Sequence, residues 1–417
     1  MNCRMVHADA PASLHASTWT RDGRCVGPNA RPDLMAGLAA FGLLNASTPL
    51  PDVPLAAAEW RPLMERTMKE RLSGHLIEAI GSGAFAVTPE QQREAVELHR
   101  RATWRVLMLE RRMIEVYELL SLAGIDVRVL KGPALARTSY PRATVRTFID
   151  LDVLVPSVCF DDAMAALVDA GYTRPLPQLR AGFDRRFGKT AMLLDPDGLQ
   201  VDVHRTLVIG PYGLLIGLQD LFATCQPITV GGRLLKALGA EEQFLNVCYH
   251  AALGNVPPRL SALRDVAQTL VGSAHTLDLG CVGRLAEAWR GTAVLARAVR
   301  LTWEALALTA EHPLVTWARG FTPGRVDRQL LACYMSARRS NGAKYVATAR
   351  VIPSLTAKLA YFRALMLPER AFLERRGVAR GAWWRHGASG LLRQPHLPDG
   401  PGANRRSWGI RDRIPHR

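Results

Sequence analysis

Apolar and polar positions along this chain follow two periods, and the switch between them organises everything else. From residue 32 to about 124 apolar side chains recur at three- and four-residue spacing, which predicts helices over about 32–45, 57–80 and 89–124. The last opens with Thr88-Pro89-Glu90, where threonine caps the helix and proline takes its first position. Gly81-Ser82-Gly83 reads as the loop between two of these helices. Period two then takes over. Val127-Arg-Val-Leu130 and Leu151-Asp-Val-Leu-Val155 read as strands. Ala191-Met-Leu-Leu194 and Leu199-Gln-Val-Asp-Val-His204 form a hairpin around the turn Asp195-Pro-Asp-Gly198. An amphipathic helix near 158–170 lies between, and helical spacing returns after 237, as in Glu241–His250 and Leu260–Leu270, up to about 375. The expected order is therefore an irregular stretch over 1–30, a helical region over 31–124, a mixed core over 125–236, a helical domain over 237–380 and a basic tail over 381–417.

Chemistry concentrates in the mixed core. Alternate residues of a strand share a face, so Leu151, Val153 and Val155 can enter the core while Asp150 and Asp152 sit side by side at its opposite surface. Adjacent carboxylates repel, and a hard divalent cation such as Mg²⁺ relieves that repulsion while keeping room for water and phosphate oxygens. The hairpin puts Asp202 and His204 on one face, which makes Asp202 a third carboxylate. Upstream, Lys131-Gly132 between a strand and a helix start combines a point charge with backbone that can approach an anion. Arg146 offers a bidentate fork for phosphate. Each feature also has an ordinary structural explanation. Acidic pairs are common on solvated strands, Arg146 and Lys131 fit as surface cations, and a histidine on a half-buried strand is usually a satisfied structural group. Lys189, near the hairpin, lies within reach of the same place but outside the expected catalytic set.

The ordered set Leu130-Lys131-Gly132, Tyr140-Pro141, Arg146, Asp150-Leu-Asp152-Val-Leu-Val155 and Val201-Asp202-Val-His204 resembles the polymerase-beta-like nucleotidyltransferase superfamily. It is similar more closely to a bacterial family of uncharacterised nucleotidyltransferases. The resemblance covers about residues 125–207, and Tyr361 with Leu365-Met-Leu-Pro368 is similar to that family's C-terminal region. It implies an α+β fold, a small mixed-sheet nucleotidyltransferase core with helical N-terminal and C-terminal segments. It also implies transfer of a nucleoside monophosphate from an NTP, ATP foremost, to an unidentified acceptor, whether small molecule, peptide or RNA. Asp150, Asp152 and Asp202 would then be both the catalytic residues and the ligands of Mg²⁺, with Mn²⁺ as the alternative ion. Lys131, Gly132, Arg146 and His204 would bind the nucleotide; because the family's helical lobe closes over its sheet, His250, Arg264 and Asp265 are candidates to line the nucleotide or acceptor cleft, although a core or surface role is favoured for each. Two positions depart from the superfamily: Lys131-Gly132 replaces the common Gly-Ser, and Ile149 stands where a small residue is usual. The competing readings are a metal-dependent glycosyltransferase, which also uses Asp-x-Asp, and a non-catalytic accessory or binding protein on the same fold. The former requires alternating strands and helices ahead of the motif. Here that region is helical.

Composition changes the picture little. The chain has 417 residues, enough for two or three domains, and no apolar run long enough for a membrane span is expected. The first ten residues lack a basic start followed by an apolar stretch, which predicts a cytoplasmic protein. Seven scattered cysteines form no Cys-x-x-Cys pair, so neither disulfides nor structural zinc is expected. The net charge of +16 rests on arginine, since only six of the 53 basic residues are lysine, a skew that codon bias alone produces. Charge gathers after residue 373, where ten arginines face three acidic residues; prolines and glycines there predict a solvated tail that attracts polyanions without sequence preference. Nothing in the chain indicates an oligomeric state.

Overall fold

The computed structural model describes residues 18–19, 25–26, 33–43, 46–272, 277–335, 341–379, 381 and 383. Its centre is a mixed six-stranded sheet built from β1 (Arg128–Val129), β2 (Leu151–Leu154), β3 (Thr190–Leu194), β4 (Gln200–His204), β5 (Cys225–Val230) and β6 (Arg233–Leu238), in the spatial order β3-β4-β2-β1-β6-β5. The expected hairpin is present as β3 and β4, antiparallel with Met192 opposite Asp202. A second hairpin, β5 and β6, was not anticipated. Its signal was in the chain, because Gly231-Gly232, both at positive φ, is the two-residue connection such a turn favours.

The sheet separates two cores. Leu151 and Val153 of β2, Val201 and Val203 of β4, and Leu235 and Ala237 of β6 pack against Phe160 and Leu167 and against Val106, Leu109, Met113, Val116 and Leu120. Those last five lie on one 34-residue helix, Pro89–Leu122, so the second half of that expected helical region belongs to the sheet's own core. Its start is the expected one: Thr88 accepts from Gln91 N, the Gln91 side chain accepts from Thr88 N, and Pro89 follows. On the opposite face Leu130, Leu154 and Leu238 join a core shared by the helices Leu34–Ala40, Ala57–Glu70, Ser73–Gly81, Ala240–Leu253, Leu260–Ala267 and Thr292–Ala305. Residues before and after the sheet thus build one helical lobe. The helix expected over 57–80 is two helices, divided at Arg71, whose φ of 61° is incompatible with continuation.

A third apolar cluster joins Leu179 and Phe183 to Tyr361, Leu365, Phe372 and Trp383. Trp383 falls in the stretch expected to be tail, yet its ring is buried and its Nε1 donates to Leu365 O at 3.1 Å. Apart from Gly381, the rest of that expected tail lies outside the described residues. Trp383→Ala is expected to cost about 3 kcal/mol, the lower end for emptying a buried indole site. Urea denaturation checks this, and a loss below about 1 kcal/mol would restore Trp383 to a dispensable tail.

Candidate active site

Parallel pairing makes the site. β2 and β4 run parallel with Asp152 directly opposite Asp202 and Leu154 opposite His204, so both aspartates project from neighbouring strands onto the face that meets the helical lobe. Asp152, Asp202 and His204 each bring a ligand atom within 4.8 Å of the others, which among the described residues is a group able to hold a metal ion. Asp152 is buried, with its Oδ1 2.6 Å from His204 Nε2 and its Oδ2 accepting from Lys131 Nζ at 3.1 Å. Burial by itself raises the Asp152 carboxyl; Lys131 and His204 outweigh it and hold the group well below the usual carboxylate range. Asp202 goes the other way. Burial and then the charge of Asp152 raise it, while Gln200 Nε2 sits 3.1 and 3.2 Å from its two oxygens. One carboxylate is therefore a fixed anion and its neighbour a readier proton acceptor.

The remaining expected residues are not all in that cluster. Asp150 precedes β2, and its Oδ1 lies 3.5 Å from Arg71 Nη1 rather than against Asp152 and Asp202. His204 was expected to touch nucleotide. Its side chain is fully buried beneath Asp152, with Nδ1 3.2 Å from Thr206 O, so it orients the carboxylate. Arg146 was expected to meet phosphate. It instead gives Nε and Nη2 to the two oxygens of Asp265 at 2.8 and 2.6 Å, and Tyr140 Oη donates to the same carboxylate at 2.8 Å. Burial opposes the Arg146 charge, yet Asp265 raises its pKa, and the pair locks the helical lobe to the loop entering β2. Arg264 has the core role that was favoured for it over the cleft, donating to Ala39 O, Phe41 O and Gln268.

Gly132 begins the helix Gly132–Thr138, and a Cβ there would stand 2.7 Å from the Phe148 ring. Close packing is reason enough for glycine. Lys131 carries the strain, with φ 44° and ψ −109°, a region that costs a side-chain-bearing residue about 1–3 kcal/mol. Comparing Lys131→Gly with Lys131→Ala isolates it, because both lose the ammonium. Glycine is expected to be the more stable by about 1 kcal/mol in urea, and equal stability would mean that Lys131 is unstrained.

Three residues outside the expected catalytic and nucleotide-binding set also face it. Arg71 arrives because its helix break turns the chain toward Thr147, whose Oγ1 donates to Arg71 O at 3.3 Å. Lys189 is fixed by its carbonyl, which accepts from Arg205 N at 2.8 Å. Burial, and next the neighbouring Lys131, push its amine down to about 8, against the pull of Asp152, Asp202 and Asp150. Burial and the charges of Lys131 and Lys189 likewise hold His250, from the helical lobe, well below its ordinary value. Lys189 gave a signal beforehand in its closeness to the hairpin, and His250 in its place on the helical lobe; Arg71 gave none.

An α+β protein whose sheet offers paired carboxylates and lysines to a helical lobe has the parts of a phosphate-handling transferase. The chain belongs to the uncharacterised nucleotidyltransferase family, which matches residues 56–307, more than half its length, and it is an enzyme of that type. Solved structures similar to it include the antibiotic-resistance factor ANT(2'')-Ia, at 16% identity and a TM-score of 0.30, covering 45% of this chain and 91% of that one. An antigenic nucleotidyltransferase-like protein from Paracoccidioides brasiliensis is similar at 16% identity and a TM-score of 0.30, covering 50% of this chain and 95% of that one. No curated protein matches. No described helix is long and apolar enough to cross a membrane.

Proposed function

We propose that the protein transfers a nucleoside monophosphate from an NTP, ATP foremost, to an acceptor oxygen, using Mg²⁺ or Mn²⁺. The observation that carries this reading is the in-register pair Asp152 and Asp202 in a family of nucleotidyltransferases. The donor set fits a hard cation: two carboxylates on adjacent strands, one held as an anion and the other raised by its neighbour's charge. A divalent ion bound there would supply charge neutralisation for the triphosphate and the departing pyrophosphate. Asp150, at the mouth, is the third carboxylate available to it. Lys131 exchanges its hold on Asp152 for phosphate, and Lys189 adds a second cation. The acceptor oxygen bonds to the α-phosphorus as the bond to pyrophosphate breaks, and Asp202, the more basic carboxylate, takes the acceptor's proton. The acceptor is a small molecule, a peptide or RNA. Calorimetry with each NTP, with and without Mg²⁺, followed by transfer of label from α-³²P NTP, tests the proposal. Absence of Mg²⁺-dependent binding at millimolar NTP would overturn it in favour of a non-catalytic accessory protein.

A pH dependence follows from Lys189. Its amine, at about 8, is charged below that pH and neutral above it, and the charged form attracts triphosphate. In metal-free buffer NTP affinity is expected to fall above pH 8, by up to about tenfold per unit, and to stay flat in Lys189→Arg, whose charge persists. For stability the sign is opposite. A lowered lysine pKa penalises the fold below about 8, and the penalty fades as pH rises from there toward 10.5. Affinity that rises above pH 8 would remove Lys189 from the phosphate site.

A further inference from the structure

We propose that an open cavity of about 460 Å³, between the segment 180–187 and the helix Leu355–Met366, binds a small molecule that joins a phosphate or carboxylate to an apolar group, separately from the nucleotide. Three guanidiniums line it, those of Arg180, Arg186 and Arg363, against the single carboxylate of Glu369. Charge is the first argument. Glu369 forms no ion pair with any of the three, and its Oε1 is spent on Ala181 N at 3.0 Å. Arg180 gives one nitrogen to Leu367 O at 2.6 Å. The Arg186 guanidinium stands over the Phe187 ring, 5.0 Å from its centroid, and among the described residues neither it nor the Arg363 guanidinium has a hydrogen bond or ion pair. Nearby arginines behave differently: Arg174 pairs with Asp184, and Arg185 with Asp161 at 3.3 Å. Among the described residues, positive charge is therefore left without a carboxylate partner on the cavity wall while neighbouring positions are neutralised. Guanidinium forks of this kind match oxyanions two bonds at a time.

The second argument is the cavity's apolar half, formed by Phe187, Leu359 and Ala360. Its aromatic side is held firmly, because Phe187 meets Tyr361 edge-on at 5.1 Å and Tyr361 stacks on Phe183 at 5.9 Å. Both walls are tied together by Glu369 N donating to Leu179 O at 2.8 Å and by Arg180 on Leu367 O. The site is thus built before a ligand arrives. Phe187 is two residues ahead of Lys189, a span of at most about 7 Å of chain, so the cavity borders the nucleotide cleft without sharing a residue with it. None of this depends on Asp152, Asp202 or a cation.

Phenyl phosphate is the probe, titrated calorimetrically into the full-length protein in metal-free buffer. Saturable one-to-one binding is expected, weakened about tenfold or more in Arg186→Gln/Arg363→Gln and unchanged in Asp202→Asn. Both arginines are exposed, so the double variant should melt with the wild type. Three results overturn the inference: no saturation by about 10 mM, affinity within about twofold of wild type in the arginine double variant, or binding tightened more than about threefold in Asp202→Asn, where removing a carboxylate eases repulsion of an anion in the nucleotide cleft. The last would place the anion in the nucleotide cleft. Because the probe carries no triphosphate and needs no metal, failure here leaves the NTP titrations to decide the transferase reading on their own.

Discussion

Asp202→Asn is expected to abolish nucleotidyl transfer and to make the protein more resistant to urea, whereas Asp152→Asn abolishes transfer and makes it less resistant. Both substitutions remove a negative charge from the proposed cation site and should lower the transfer rate at least about 10³-fold. Their stabilities diverge because the two carboxylates live in opposite fields. Asp152 accepts from Lys131 and contacts His204, and these partners hold it ionised. Its removal leaves a buried ammonium and imidazole without their anion, a loss of about 2–4 kcal/mol. Asp202 is raised by burial and by Asp152, so its ionised form burdens the fold, and a neutral amide lifts that burden. The pH dependence has matching signs. The contribution of Asp152 is present above the ordinary aspartate range and is lost as pH falls through its depressed value; the penalty from Asp202 is present above its raised value and disappears as pH falls. Urea midpoints of both variants at pH 7 decide the matter. Equal destabilisation would mean that the two carboxylates do not differ in this way.

Breaking the Arg146–Asp265 pair should cost more than any change at the carboxylates. Asp265→Ala leaves a nearly buried guanidinium and the Tyr140 hydroxyl without their shared acceptor, and a loss of about 3–5 kcal/mol is expected. The double variant Arg146→Met/Asp265→Leu should recover most of it, since apolar replacement of a buried pair is nearly neutral. A phosphate role for Arg146 predicts something else: impaired NTP binding in the double variant at full stability. Calorimetry on the double variant separates the two, and a tenfold or greater loss of NTP affinity would return Arg146 to the nucleotide site.

How legible the molecule was depends on the range of the interaction involved. Thr88 and Pro89 announced their helix because capping is settled within four residues. The hairpin carrying Asp202 was readable for the same reason, and so was the mixed core between helical segments, through the change of apolar period. What the chain by itself determined is this local grammar: which runs are strands, which face of each is polar, and that Asp152 and Asp202 point away from the apolar face. Tertiary structure alone decided what those residues meet. Parallel pairing of β2 with β4 brought Asp152 beside Asp202 across 50 positions, and the same register buried His204 under Asp152. Arg146 met Asp265 and Arg71 met Asp150 because helices from both ends of the chain share one core, over separations that no spacing rule encodes. The physical reason is that backbone propensity and strand alternation act between neighbours in sequence, while the partner of a buried charge is fixed by which element packs against it.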